Sequence, residues 1–121
     1  MKIYSYPNNP RVWKAQIAAR YVGVEIEEPE FTIGKDNKTK EFAAKNPVQK
    51  VPVLETDEGC IFESNAIARY IARLGGSTIY GNSPFETAQI DQWMDFAVNE
   101  IELPSAAWLF PIMGIVPLNK Q

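Results

Sequence analysis

Glu63 and Ser64 stand together where a short apolar run gives way to a helical stripe, and this pair of residue types suits the two charged ends of an amino acid. Free N–H groups and the positive dipole end at a helix start favour a carboxylate, while the Glu63 carboxylate beside them can accept from an ammonium group. Ser64 is equally suited to capping the helix. Residue 67 is isoleucine rather than Glu or Gln, however, so no capping box accounts for the serine. Lys38 and Lys50, with Asn37 beside the first, can meet a second carboxylate, although a single exposed lysine is ordinarily a solvated surface group. Val51-Pro52 opens the apolar run that follows. A proline there gives up a ladder hydrogen bond and belongs at an edge or a turn, and an open strand edge can pair with an extended ligand. Only about 5–6% of X-Pro bonds in folded proteins are cis, so the dipeptide alone favours trans. Jointly, these positions describe a holder for a short extended peptide carrying a carboxylate at each end.

The inventory narrows the remaining chemistry. The chain has 121 residues, no histidine and one cysteine, Cys60, which excludes Ser-His-Asp and Cys-His catalysis, His-based zinc sites and internal disulfides. With 45% hydrophobic and 22% charged residues it buries a core rather than staying disordered. A net charge of -3 offers no general attraction to nucleic acid or anionic lipid, so direct nucleic-acid binding is not expected. The opening "MKIYSYPNNPRVW" lacks the apolar stretch of an export signal, and a single cysteine fits a reducing cytoplasm. Pro104, Pro111 and Pro117 interrupt the long uncharged run near the C-terminus, so no membrane span is expected.

The elements that must position these residues follow from the pattern. Lys2 to Tyr6 alternates as a short strand, and "PNNP" turns the chain. Pro10 opens a helix marked by Trp13, Ile17 and Tyr21, with Gly23 closing it. Val24 to Phe31 alternates as an edge strand that tolerates Pro29. A short helix over Glu41 to Lys45 should end before Pro47. Val51 to Glu55 and Cys60 to Phe62 form a hairpin around "TDEG". From Ser64, Ile67, Tyr70, Ile71 and Leu74 make one helical stripe, ended by Gly75 and Gly76. Pro84 opens a further amphipathic helix, with Ile90, Trp93, Met94, Ala97 and Ile101 on one face and Pro104 as the expected stop. The first two strands should be parallel, since a βαβ crossover joins them, and the hairpin lies alongside. The expectation is an α/β domain of order βαβαββα with a small mixed sheet over residues 1–76, a linker over 77–83, and the start of a helical domain over 84–121.

"NPVQKVPVLE" followed by "FESNAIARYIA" resembles the glutathione transferase N-terminal domain, a thioredoxin-like fold, over Lys2 to about Leu74. The resemblance implies that Val51 pairs its backbone with the cysteinyl unit of glutathione beside a cis Pro52, that Glu63 and Ser64 bind the γ-glutamyl end, and that Lys38 and Lys50 lie near the glycine carboxylate. It also implies a hydroxyl or thiol after the first strand to hold the glutathione thiolate. Here "SYPNNPRV" offers Asn9 near the usual serine position and Ser5 near the usual tyrosine position, with Tyr4 and Tyr6 as substitutes. Gln49 stands where a glycine is common. The segment "IELPSAAWLFPIMGIVPLNKQ" resembles the gamma subunit family of eukaryotic translation elongation factor 1. That likeness implies a cytoplasmic interaction module anchoring the nucleotide-exchange subunit of the same complex. A glutathione transferase conjugating glutathione to electrophiles, as a homodimer, is the alternative. Either likeness implies an all-α C-terminal domain of which residues 84–121 hold only the first helix, the rest following Gln121.

Overall fold

The computed structural model describes residues 1–76 and 78–117. Ser77 of the expected linker, and Leu118 with the closing "NKQ" of the tail, lie outside the described residues. Two compact units divide between Tyr80 and Gly81.

The first unit is built on three antiparallel strands in the order β1-β2-β3: β1 Lys2–Tyr4, β2 Val53–Thr56 and β3 Gly59–Phe62. The register pairs Ile3 with Leu54 and Leu54 with Ile61, which puts these three side chains on one face of the sheet. Helices α1 (Pro10–Val22) and α3 (Ser64–Ala72) lie in the same core: Ile3, Val12, Ala15, Ala19, Leu54, Ile67 and Ile71 form one buried cluster. Tyr4, Val53 and Glu55 alternate to the other face. There Tyr4, Phe31 and Phe42 pack as an aromatic trio, with Phe31 and Phe42 centroids 5.1 Å apart, and Phe42 comes from α2 (Lys40–Lys45).

The expected strand over Val24 to Phe31 shrinks to one parallel bridge, Lys2 to Glu27, on the free side of β1. Two backbone bonds make it, Ile3 N–H to the Glu27 carbonyl at 2.9 Å and Glu27 N–H to the Met1 carbonyl at 3.0 Å. Pro29 has no N–H to extend the ladder, which accounts for the brevity. The parallel direction is the one the crossover requires, and it gives the antiparallel sheet its mixed character.

Helix α1 starts at Pro10 and ends at Gly23 (φ 71°), but its buried face is Val12, Ala15 and Ala19. Trp13, Ile17 and Tyr21, the residues that mark its period, are 50%, 56% and 74% exposed. Alanines on the inner face allow close approach to α3, and no large side chain is needed there. Helix α3 buries the Ile67 and Ile71 stripe as its spacing predicts.

In the second unit, α4 (Pro84–Phe96) begins with Ser83, whose Oγ accepts from Glu86 N–H. Pro104 does not stop the helix, contrary to expectation. The helical run passes through a π-helical segment, Ala97–Glu102, into α5 (Leu103–Ile112). Leu103 N–H bonds the Val98 carbonyl five residues back, a widened turn just ahead of the proline. A proline ring clashes with the carbonyl four residues before it in an ordinary helix, and the wider turn displaces that register. Gly114 (φ 70°) closes α5, with Ile115 N–H on the Phe110 carbonyl at 2.9 Å. No described helix is long and apolar enough to cross a membrane.

Candidate functional site

One end of the sheet gathers most of the singled-out residues. Val53 pairs with both Tyr4 and Phe62. The next residues outward, Ser5 leaving β1, Pro52 entering β2 and Glu63 leaving β3, therefore share that end. The Val51–Pro52 bond is cis, as the resemblance implies. Pro52 is buried, and β2 consequently begins at Val53 rather than at Val51. Among the described residues neither backbone group of Val51 has a hydrogen-bond partner. It can therefore accept an extended ligand.

Ser64 proves to be the first residue of α3 and not its cap. The cap position belongs to Glu63, which makes no side-chain capping bond and holds φ 70° and ψ 112°. A positive φ on a non-glycine residue is costly and recurs at ligand sites. The exposed Glu63 carboxylate and the Ser64 hydroxyl and N–H have no partner among the described residues. A carboxylate acceptor thus stands beside free donors at a helix start. Lys14 of α1 reaches the same turn, its Nζ 2.5 Å from Asn65 Oδ1. It lies 51 residues away along the chain, and no sequence signal connects it with Ser64.

Lys38 ends a 3₁₀ turn, Asp36–Lys38, and Lys50 precedes Val51; both are exposed. Asn37, grouped with them in the sequence, is instead buried. Its Nδ2 donates to the Gln49 carbonyl at 3.0 Å and its Oδ1 accepts from Gly34 N–H at 2.6 Å. Asn46, also buried, donates to the Lys50 carbonyl at 2.8 Å and accepts from Val48 N–H at 3.0 Å. Gln49 has φ 55°, the left-handed value that favours glycine at this place. An Asn followed by Pro was the only sequence sign of this clamp.

The thiol-side candidates are committed elsewhere. Asn9 is 2% exposed; its Nδ2 donates to Ser5 Oγ at 2.8 Å, and its Oδ1 caps α1 by accepting from Arg11 N–H at 3.0 Å. Tyr4 points to the α2 face, where its hydroxyl donates to Glu55 Oε2 at 2.7 Å. Lys45 Nζ meets the same oxygen at 2.6 Å. The hydrogen bond from Lys45, then that from Tyr4, hold the Glu55 carboxyl below its ordinary 4.5. Donating to the Glu55 carboxylate raises both Lys45 and Tyr4. Tyr6 alone of these hydroxyls is exposed. A 550 Å³ surface hollow lined by Met1, Gln16, Arg20 and Glu25 contains none of the site residues. Among the described residues no three metal-ligating side chains cluster.

A small sheet with helices on both faces is the architecture of a glutathione transferase N-terminal domain, and the chain belongs to that family: residues 1–73 match the family described as "Glutathione S-transferase, N-terminal domain". It is 48% identical over 122 residues to "Elongation factor 1-gamma" of Artemia salina, covering 99% of this chain and 28% of that protein. To "Elongation factor 1-gamma 3" of Oryza sativa subsp. japonica it is 49% identical over 111 residues, 90% of this chain and 27% of the relative. The chain thus spans less than a third of these curated relatives. Among solved structures it is similar to a delta-class glutathione transferase of Nilaparvata lugens, with TM-score 0.83, 28% identity and coverage of 98% of this chain and 57% of the other. A theta-class glutathione S-transferase of Xanthomonas axonopodis pv. citri, solved with glutathione bound, gives TM-score 0.72 and 33% identity over 81% of this chain and 48% of that one.

Proposed function

We propose that this chain is the transferase-like part of a gamma subunit of the eukaryotic translation elongation factor 1 complex. In this reading it is a cytoplasmic interaction module that anchors the nucleotide-exchange subunit and binds glutathione without turning it over. The observation that carries the first half is 48–49% identity to elongation factor 1-gamma over 90–99% of the chain, against 28–33% to the transferase structures. For the second half, the binding end is open at Val51, Glu63 and Ser64, whereas Asn9 and Ser5 are buried and bonded to each other. Glu63 and Ser64 take the γ-glutamyl end, Val51 beside Pro52 takes the cysteinyl backbone, and Lys38 and Lys50 take the glycine carboxylate.

A pull-down from eukaryotic cytosol with the full-length protein tests the anchoring role. Recovery of the exchange subunit is expected; its absence, with a clean homodimer instead, removes the translation reading. Calorimetry with glutathione tests the ligand.

A conjugating transferase is the second reading, favoured by the 33% identity to an enzyme solved with glutathione bound. It requires conjugation of an aromatic electrophile that one substitution at Ser5, Tyr6 or Asn9 abolishes.

A further inference from the structure

We infer that Asn37 is a positioning residue for the glycine end of the ligand, fixing Lys38 and Lys50 as a pair rather than touching the ligand itself. The inference rests on the glutathione reading above and adds to it the device that sets the two cations.

Two consecutive carbonyls, those of Gln49 and Lys50, are each held by a buried asparagine amide, Asn37 for the first and Asn46 for the second. These two peptide units lead directly into Val51, so the clamp sets both the direction of Lys50 and the open backbone beside it. Asn46 is local to its loop, four residues from its partner. Asn37 is not: it reaches across from the 3₁₀ turn, twelve residues away, and its own backbone is covalently next to Lys38. The Asn37–Gln49 bond therefore joins the two lysine-bearing loops at the residue beside each lysine. The other end of the amide, bonded to Gly34 N–H at 2.6 Å, locks the side chain so that Nδ2 faces the Gln49 carbonyl. Asp36, the carboxylate next in line, is turned to Thr32 N–H at 2.7 Å. A lysine is a point charge on a flexible stem, and its contribution depends on where the backbone starts it. Pinning two such stems lowers the entropy lost when both meet one carboxylate.

The test compares glutathione with γ-glutamylcysteine, which lacks the glycine, on the full chain by calorimetry. Asn37→Ala should weaken glutathione about three- to tenfold, the range of a lost ion pair or charged hydrogen bond, and leave γ-glutamylcysteine within about twofold. Because Asn37 acts through Lys50, adding Asn37→Ala to Lys50→Ala should cause little further loss. Equal weakening of both ligands, or fully additive losses, overturns the inference. The unsubstituted protein supplies an arm free of folding effects: the Asn37 side-chain amide signals should shift with glutathione and not with γ-glutamylcysteine, and equal or absent shifts overturn it. Amide exchange separates the two levels. Faster exchange around residues 49–51 in Asn37→Ala, together with no preference of the unsubstituted protein for glutathione over γ-glutamylcysteine, means that the clamp is real but the ligand assignment, and the inference with it, has failed.

Discussion

Asn9 donates to Ser5 across 2.8 Å while its carbonyl oxygen caps the first helix through Arg11, so one buried amide closes the turn from β1 into α1. A cap of this kind costs about 1–2 kcal/mol to remove, and Ser5 Oγ loses the Asn9 donor at the same time. Asn9→Ala should therefore lower stability by about 1–2 kcal/mol in urea unfolding, with glutathione affinity unchanged within about twofold. A large affinity loss at unchanged stability would instead make Asn9 a ligand contact.

Glu63 predicts a trade between folding and binding. Its φ of 70° and ψ of 112° suit glycine better than any L side chain. Glu63→Gly should match or exceed the parent in stability, by up to about 1 kcal/mol, and lose glutathione affinity by about tenfold or more, since a charge-assisted bond disappears. Paired thermal melts and calorimetry read both effects.

The Lys45–Glu55–Tyr4 network gives a pH dependence whose sign is fixed. The Glu55 carboxyl lies below its ordinary 4.5 in the folded protein, so the unfolded chain binds the proton more readily. The stabilisation is present above about pH 4.5 and is lost as the pH falls toward the lower folded value. In Glu55→Gln the decline in stability below pH 4.5 should be shallower than in the parent, as followed by circular dichroism melts from pH 6 to 3.

Gly81 is held by space as well as by conformation. A Cβ there would lie 2.8 Å from Glu86 Cβ and 2.9 Å from Thr87 N, at φ 84°. Gly81→Ala should destabilise the first turn of α4 by roughly 1–3 kcal/mol. Hydrogen exchange should speed up at Glu86 and Thr87 and not in β1 or β2.

What the sequence revealed depended on how each residue earns its place. The α3 stripe was legible because its buried face uses isoleucines at helical spacing, and Glu63 and Ser64 stood out as candidates because each type carries a distinct chemistry. The inner face of α1 was not, since alanines add little to an apolar period and the conspicuous Trp13, Ile17 and Tyr21 point outward. Pro29 correctly marked an edge but not how short the pairing becomes. Pro104 misled because the rule for proline assumes an ordinary α-turn ahead of it, and this chain supplies a wider one. Asn37 read as a ligand contact by proximity to Lys38; its burial and its distant partner belong to tertiary structure.

The placement of the tryptophans has a spectroscopic consequence. All three, Trp13, Trp93 and Trp108, are at least half exposed, and the buried core contains none. Their emission should already be red-shifted in the native protein and change little as the core melts. The same indoles should shift to the blue when a partner covers α1, α4 or α5, so fluorescence in this protein reports association rather than folding.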